Sequence, residues 1–158
     1  MKIIFEILIL ASLLLSCSNP NRNLIVVEND YDIDLTKLDS VRENLNGFWI
    51  PENQIDSEEI LWLDFHKKKN SATWETIPYN DEIKLTESLP FKSCPTTVEL
   101  IKLNGKTQME FVSLGGSNTT EIEYLTKTKF KIDGITYLRH KGYEFLKTWN
   151  VHGYESEK

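Results

Sequence analysis

The chain is short of the residues that most chemistry needs. Of 158 residues only two are cysteine and three are histidine. His66, His140 and His152 lie on separate segments, with no H-E-x-x-H pair and no close Cys/His spacing, so the sequence offers no metal site. Positive charge is also scarce: 18 Lys and Arg against 24 Asp and Glu give a formal net charge of −6. That balance disfavours nucleic acid, whose phosphates need a basic face. The only basic run, Lys67-Lys68-Lys69, sits beside Asn70-Ser71 between two strand-like segments and reads as a solvated hairpin turn. No apolar run is long enough to span a bilayer, which takes ~20 residues.

The longest apolar run is Ile3 to Leu15, with only Glu6 and Ser12 polar, and Met1-Lys2 supplies a positive end before it. This is the order of a secretory signal peptide. The run stops at Leu14-Leu15-Ser16-Cys17, and a polar stretch containing Pro20 follows. These four residues resemble the lipobox of bacterial lipoproteins. The resemblance implies cleavage before Cys17 and acylation of Cys17, for example with palmitate. Each buried methylene contributes ~0.8 kcal/mol, and two or more chains hold stably where one holds marginally. Ser18 follows the cysteine where Asp would favour the inner membrane of enterobacteria, so the expected location is the cell envelope, at the outer membrane facing the periplasm. Ordinary secretion, with cleavage at Ser16-Cys17-Ser18, is the alternative. With Cys17 acylated, Cys94 has no partner in the mature chain, and no internal disulfide framework is expected.

Removing residues 1–16 leaves 142, enough for one domain with a hydrophobic core. Residues 17–34 read as a lipidated N-terminus and tether, although Leu24 to Val27 is apolar enough to add a strand. The single domain is expected over 35–158. Leu35, Leu38, Val41 and Leu45 recur at helical spacing before an Asn46-Gly47 stop. From Gly47 the period becomes two: Leu61, Leu63 and Phe65 alternate with Trp62, Asp64 and His66, and Met109 and Phe111 alternate with Gln108 and Glu110. Asn104-Gly105 is a strong type I′ hairpin signal, and Gly115-Gly116-Ser117-Asn118 and Asp133-Gly134 mark further turns. The pattern predicts about eight strands near 47–51, 59–66, 71–77, 83–87, 96–103, 106–114, 119–126 and 128–139, the last broken at Asp133-Gly134. The expected fold is mostly β, an antiparallel up-and-down meander closed or nearly closed into a barrel, with one short helix before the first strand.

Leu45 to Asn53 reads LNGFWIPEN. A short helix followed by Gly47-Phe48-Trp49 resembles the G-x-W start of lipocalins, and residues 36–140 have the length and strand number of small lipocalin-like domains in lipoproteins, notably those of Bacteroidetes. The resemblance implies that an arginine late in the barrel packs on this tryptophan and closes one end; Arg139 holds that position here. In a barrel that binds a ligand, Leu63, Phe65, Trp74, Phe111, Tyr124 and Tyr137 are the candidate interior, ligand-facing residues.

No residue pattern supports catalysis. Ser117 lacks the strand–turn–helix context of a nucleophile elbow. Glu58-Glu59 and Asp81-Glu82 are adjacent pairs that point apart on a strand. The expectation is therefore a non-enzymatic protein without a cofactor. Two functions fit: a barrel that holds a small apolar ligand, or a filled barrel that binds an envelope protein through surface aromatics such as Trp62 and the Tyr143–Trp149 segment. The anchor is directly testable. Cys17→Ala is expected to release the protein from the membrane fraction or leave it unprocessed. A wild-type mature N-terminus found unmodified at Asn19 by mass spectrometry would refute acylation.

Overall fold

The computed structural model describes residues 23–65, 70–79 and 96–142. The signal segment, Cys17, His66, the lysine run at 67–69, the expected strand at 83–87, Cys94, the 143–149 aromatics and His152 lie outside the described residues. One helix, α1 (Leu38–Leu45), precedes eight strands: β1 (Gly47–Pro51), β2 (Glu59–Leu63), β3 (Ser71–Pro78), β4 (Thr96–Leu103), β5 (Lys106–Ser113), β6 (Gly116–Leu125), β7 (Lys129–Ile132) and β8 (Ile135–His140). Each strand pairs antiparallel with the next, and β8 pairs back onto β1 through Trp49↔Arg139 and Pro51↔Tyr137, so the meander closes into a barrel.

Local chemistry explains where the chain turns. Asn104 and Gly105 have φ of 52° and 80°, and Asp133 and Gly134 have 48° and 73°. Both pairs adopt the left-handed backbone that a two-residue hairpin requires, which asparagine, aspartate and glycine tolerate best. At the β5–β6 hairpin the turn is tighter than the sequence implies. Ser113 already pairs with Gly116, leaving Leu114-Gly115 as the turn. The helix begins three residues later than the apolar spacing indicates. Asp34 accepts hydrogen bonds from the amide (3.0 Å) and hydroxyl (2.6 Å) of Thr36, and this Asx turn holds Leu35 out of the helix. Leu35 nevertheless packs against the core.

Two apolar clusters result. The larger occupies the barrel interior and includes Trp49, Leu61, Leu63, Phe65, Val98, Met109, Ile122, Leu125 and Phe130, with Val41 and Leu45 of α1 packed into one end. The smaller lies on the outer side of β1, β2 and β3, where Phe48, Ile50, Ile60 and Ile77 are buried together with partly buried Leu24, Trp62 and Leu138. Trp62, expected as an exposed contact, is half-buried and stacked on Phe48 at 6.2 Å.

The segment read as a tether is, from Asn23 onward, part of the domain. Leu24 bridges to His140, the Ile25 amide donates to Arg139 O (2.9 Å) and the Lys141 amide donates to Asn23 O (2.8 Å). Here β8 runs past the start of β7, and the backbone groups left free on that side take Asn23–Ile25 as a partner. The strap then crosses the same end of the barrel. Asp30 accepts from the Lys127 amide (2.9 Å) and the Thr126 hydroxyl (2.8 Å), and also from the Thr128 hydroxyl; the amide of buried Ile33 donates to Leu125 O (2.8 Å).

Burial opposes ionisation of Asp30, but the Thr128 and Thr126 hydroxyls and the Lys127 and Thr128 amides outweigh it and hold its pKa below the ordinary 3.8. A depressed carboxylate contributes stability above the unfolded pKa and loses it as pH falls through the folded one. Asp30→Asn is therefore expected to speed amide exchange at Lys127 and Thr128 at neutral pH and to open Tyr31 to chymotrypsin. The difference from wild type should shrink in acid below the carboxylate range, and equal exchange at neutral pH would show that the carboxylate does not hold the strap.

Candidate functional site

The two ends of the barrel differ. One carries the start of β1, the end of β8, the strap and α1, and it is built around Arg139. The guanidinium carbon lies 4.2 Å from the centroid of the Trp49 ring. Its Nη1 donates to Asn46 O (2.8 Å) and its Nη2 to Asn44 O, while Trp49 Nε1 donates to Leu45 O (2.8 Å). Three carbonyls at the C-terminus of α1, the end with partial negative charge, are thus satisfied by the tryptophan and the arginine together. Gly47 has φ of +133°, and a Cβ there would sit 3.0 Å from Arg139 Nη1, so both backbone and space call for glycine. Burial lowers the Arg139 pKa to about 10, partly offset by the charge of Asp30, and the group remains cationic at neutral pH. Asn46 completes the closure: its side-chain oxygen accepts from the Phe65 amide (2.6 Å) and its Nδ2 donates to Phe65 O (3.2 Å), continuing the β1–β2 pairing beyond Leu63.

Aromatic contacts cross the middle of the barrel. Phe130 stacks on Tyr137 (4.6 Å, 3°) and meets the Trp49 ring edge-on (4.7 Å, 88°). Trp74 makes near-perpendicular contacts with Phe111 (5.0 Å), Tyr137 (5.7 Å) and Phe130 (6.5 Å). Each such pair adds ~0.5–1.5 kcal/mol beyond burial of its surface.

The sequence-predicted interior residues therefore fall into three groups. Leu63 and Phe65 are fully buried near the closed end. Trp74, Phe111 and Tyr137 face inward toward the opposite end and remain partly exposed. Tyr124 does not face the interior. The β6–β7 register shifts between Ile122 and Tyr124, so Tyr124 pairs with Lys131 on the outer face and its hydroxyl lies 3.2 Å from Thr136 Oγ1. An extra residue in one strand reverses the alternation beyond it.

At the open end the inward positions Pro51 and Tyr137 pair across β1 and β8, Trp74 pairs with Thr96, and Phe111 pairs with Asn118. The 3-10 turn Glu52–Gln54 packs against β8. Asp133 leans inward from the β7–β8 turn, its Oδ2 lying 3.5 Å from the hydroxyl of buried Thr120. Burial, and then the charge of Asp133, push the Tyr137 hydroxyl above its ordinary pKa, so it stays protonated.

A separate cavity of about 370 Å³ opens at the outer corner of the closed end, between Ile25, Phe48, Trp62, Asp64 and Lys141. Of the predicted interior residues only Leu63 lines it. Its Phe48 and Trp62 rings are stacked on each other and Arg139 is engaged by α1. Among the described residues, no group of three His, Cys, Asp or Glu is arranged to hold a metal ion. His140 is buried, with Nδ1 accepting from the Gly142 amide (2.9 Å) and its ring against Tyr79 (4.3 Å). No protein-family model, curated protein or solved structure matches this chain.

The closure predicts a coupled pair. Trp49→Ala should cost ~3–5 kcal/mol in chemical denaturation, as loss of a buried large aromatic does, and Arg139→Ala should cost less. The double mutant should lose ~0.5–2 kcal/mol less than the sum, because either change removes the shared contact. Strict additivity would mean that the ring and the guanidinium do not interact.

Proposed function

We propose that this chain is an envelope lipoprotein, anchored through acylated Cys17, whose lipocalin-like barrel is a non-catalytic binding domain. The observation that carries the reading is the asymmetry of the barrel. One end is sealed by Trp49, Arg139 and α1 and the centre is crossed by rings, whereas Trp74, Phe111 and Tyr137 keep part of their surface open at the other end. Partly exposed rings at the rim of a rigid closed sheet are a ready apolar contact for a small molecule. The ligand then rests in a shallow mouth instead of a deep calyx. The G-x-W glycine, the arginine stacked on the tryptophan and the helix before β1 support the lipocalin-like assignment.

Fully exposed Leu114, with Val112 and Ile135 also exposed at the same end, favours a second reading, in which the occupant is an envelope protein docked on the rim. NMR titration with small aliphatic alcohols, carboxylates and ammonium ions tests the first. Shifts are expected at Trp74, Phe111 and Tyr137, with Trp49 unmoved. Shifts centred on Phe48 and Trp62, or none with any probe, would overturn it.

A further inference from the structure

The mouth carries a charge pattern as well as an aromatic floor. Three described turns border it: residues 51–58, 113–116 and 133–134. They contain Glu52, Asp56, Glu58 and Asp133 and no lysine or arginine. The closed end is mixed in charge: Lys37, Arg42, Lys102, Lys106, Lys127, Lys129 and Lys141 lie around it beside Asp30, Asp34, Asp39, Glu43 and Asp64, with Lys37–Asp34 and Arg42–Asp39 as ion pairs. Among the described residues, Lys131 precedes the β7–β8 turn by two positions and is tied to Glu123 at 2.6 Å on the outer face. Asp133 is the acid best placed to act on a bound molecule, because its carboxylate leans over the interior toward Thr120 and its charge is felt at the Tyr137 hydroxyl.

Aromatic faces attract cations through their quadrupole, and quaternary ammonium groups are recognised by walls of such rings. Trp74 meets Phe111 at 73° and Tyr137 at 86°, and all three rings keep part of their surface exposed. A neutral apolar ligand would use the rings and gain nothing from the carboxylates. An anionic one, such as a fatty acid, would be repelled by them. A weakly hydrated organic cation uses both.

Resting on the binding-domain reading above, we propose that the mouth takes a small organic cation, a quaternary or alkylated ammonium group, held over Trp74, Phe111 and Tyr137 with Asp133 supplying the counter-charge. The site asks for a cation with apolar substituents, since a bare ammonium or metal ion would keep its water and leave the rings unused.

The test uses the full chain with choline and with dimethylbutanol, its uncharged carbon isostere, followed by tryptophan fluorescence and by NMR shifts at the mouth. Choline is expected to bind about tenfold or more tightly than the isostere. Its affinity should fall with added salt while that of the isostere does not. Asp133→Asn, at an exposed turn whose left-handed backbone asparagine tolerates, should bring the two probes close together without loss of fold. Tyr137→Phe should leave the preference in place, because it keeps the ring. If dimethylbutanol binds at the mouth as well as choline does, the cation proposal fails while the binding reading stands. If neither shifts Trp74, Phe111 or Tyr137, the proposal fails, and binding of the alcohols or carboxylates then decides the wider reading. Unchanged choline selectivity in Asp133→Asn would remove the assigned role of that carboxylate.

Discussion

One cation holds the closed end together. Arg139 is half-buried without a carboxylate at salt-bridge distance among the described residues, and its charge is met by an indole face and two carbonyls at the end of the helix. Guanidinium suits this setting because it is planar, weakly hydrated and able to donate to several carbonyls while lying flat on a ring. The same residue also serves through its backbone: its amide donates to Thr128 O (2.7 Å), and its carbonyl accepts from Ile25. Helix, first strand, last strand and strap thus converge on one side chain and its own peptide groups. A lysine could supply the charge but neither the stack nor the fork.

With that end sealed, an eight-stranded barrel has room inside for a ligand or for side chains. This sequence supplies rings. Phe130 is the hub, because it meets Trp49 below and Trp74 and Tyr137 above. Large rings packed edge to face cross the middle of the barrel, and toward the open end part of their surface stays exposed. A molecule bound there, as proposed, would meet a surface already held in shape, which lowers the ordering cost of binding.

The architecture was legible in the sequence because its strongest signals are local. Asn104-Gly105 and Asp133-Gly134 demand left-handed backbone and adopt it, and Gly47-Phe48-Trp49 with Arg139 makes the stacked contact that the lipocalin resemblance implied. Departures came where distant atoms decide. Period-two reasoning assumes one buried face, whereas Phe48, Ile50, Ile60 and Ile77 are buried on the outer one. Tyr124 kept the alternating pattern in sequence and lost it in space at a register shift. The strap looked like a tether because Asp30 and Ile33 have their partners nearly a hundred residues away, at Thr126 to Thr128 and Leu125. The candidate site was half legible: the aromatic residue types were readable, but which of them would reach the rim depends on where the barrel fills.

The strap also sets a leash. It joins the folded domain at Asn23, beside Lys141 and therefore at the sealed end. Five residues lie between Cys17 and Asn23, six steps along the chain, and even a fully extended chain covers only ~3.3–3.6 Å per step, or roughly 20 Å in all. A lipid on Cys17 would therefore hold the sealed end close to the bilayer surface. The long axis of the barrel would then tend to stand away from the membrane, with the aromatic mouth directed at the aqueous compartment and whatever diffuses through it.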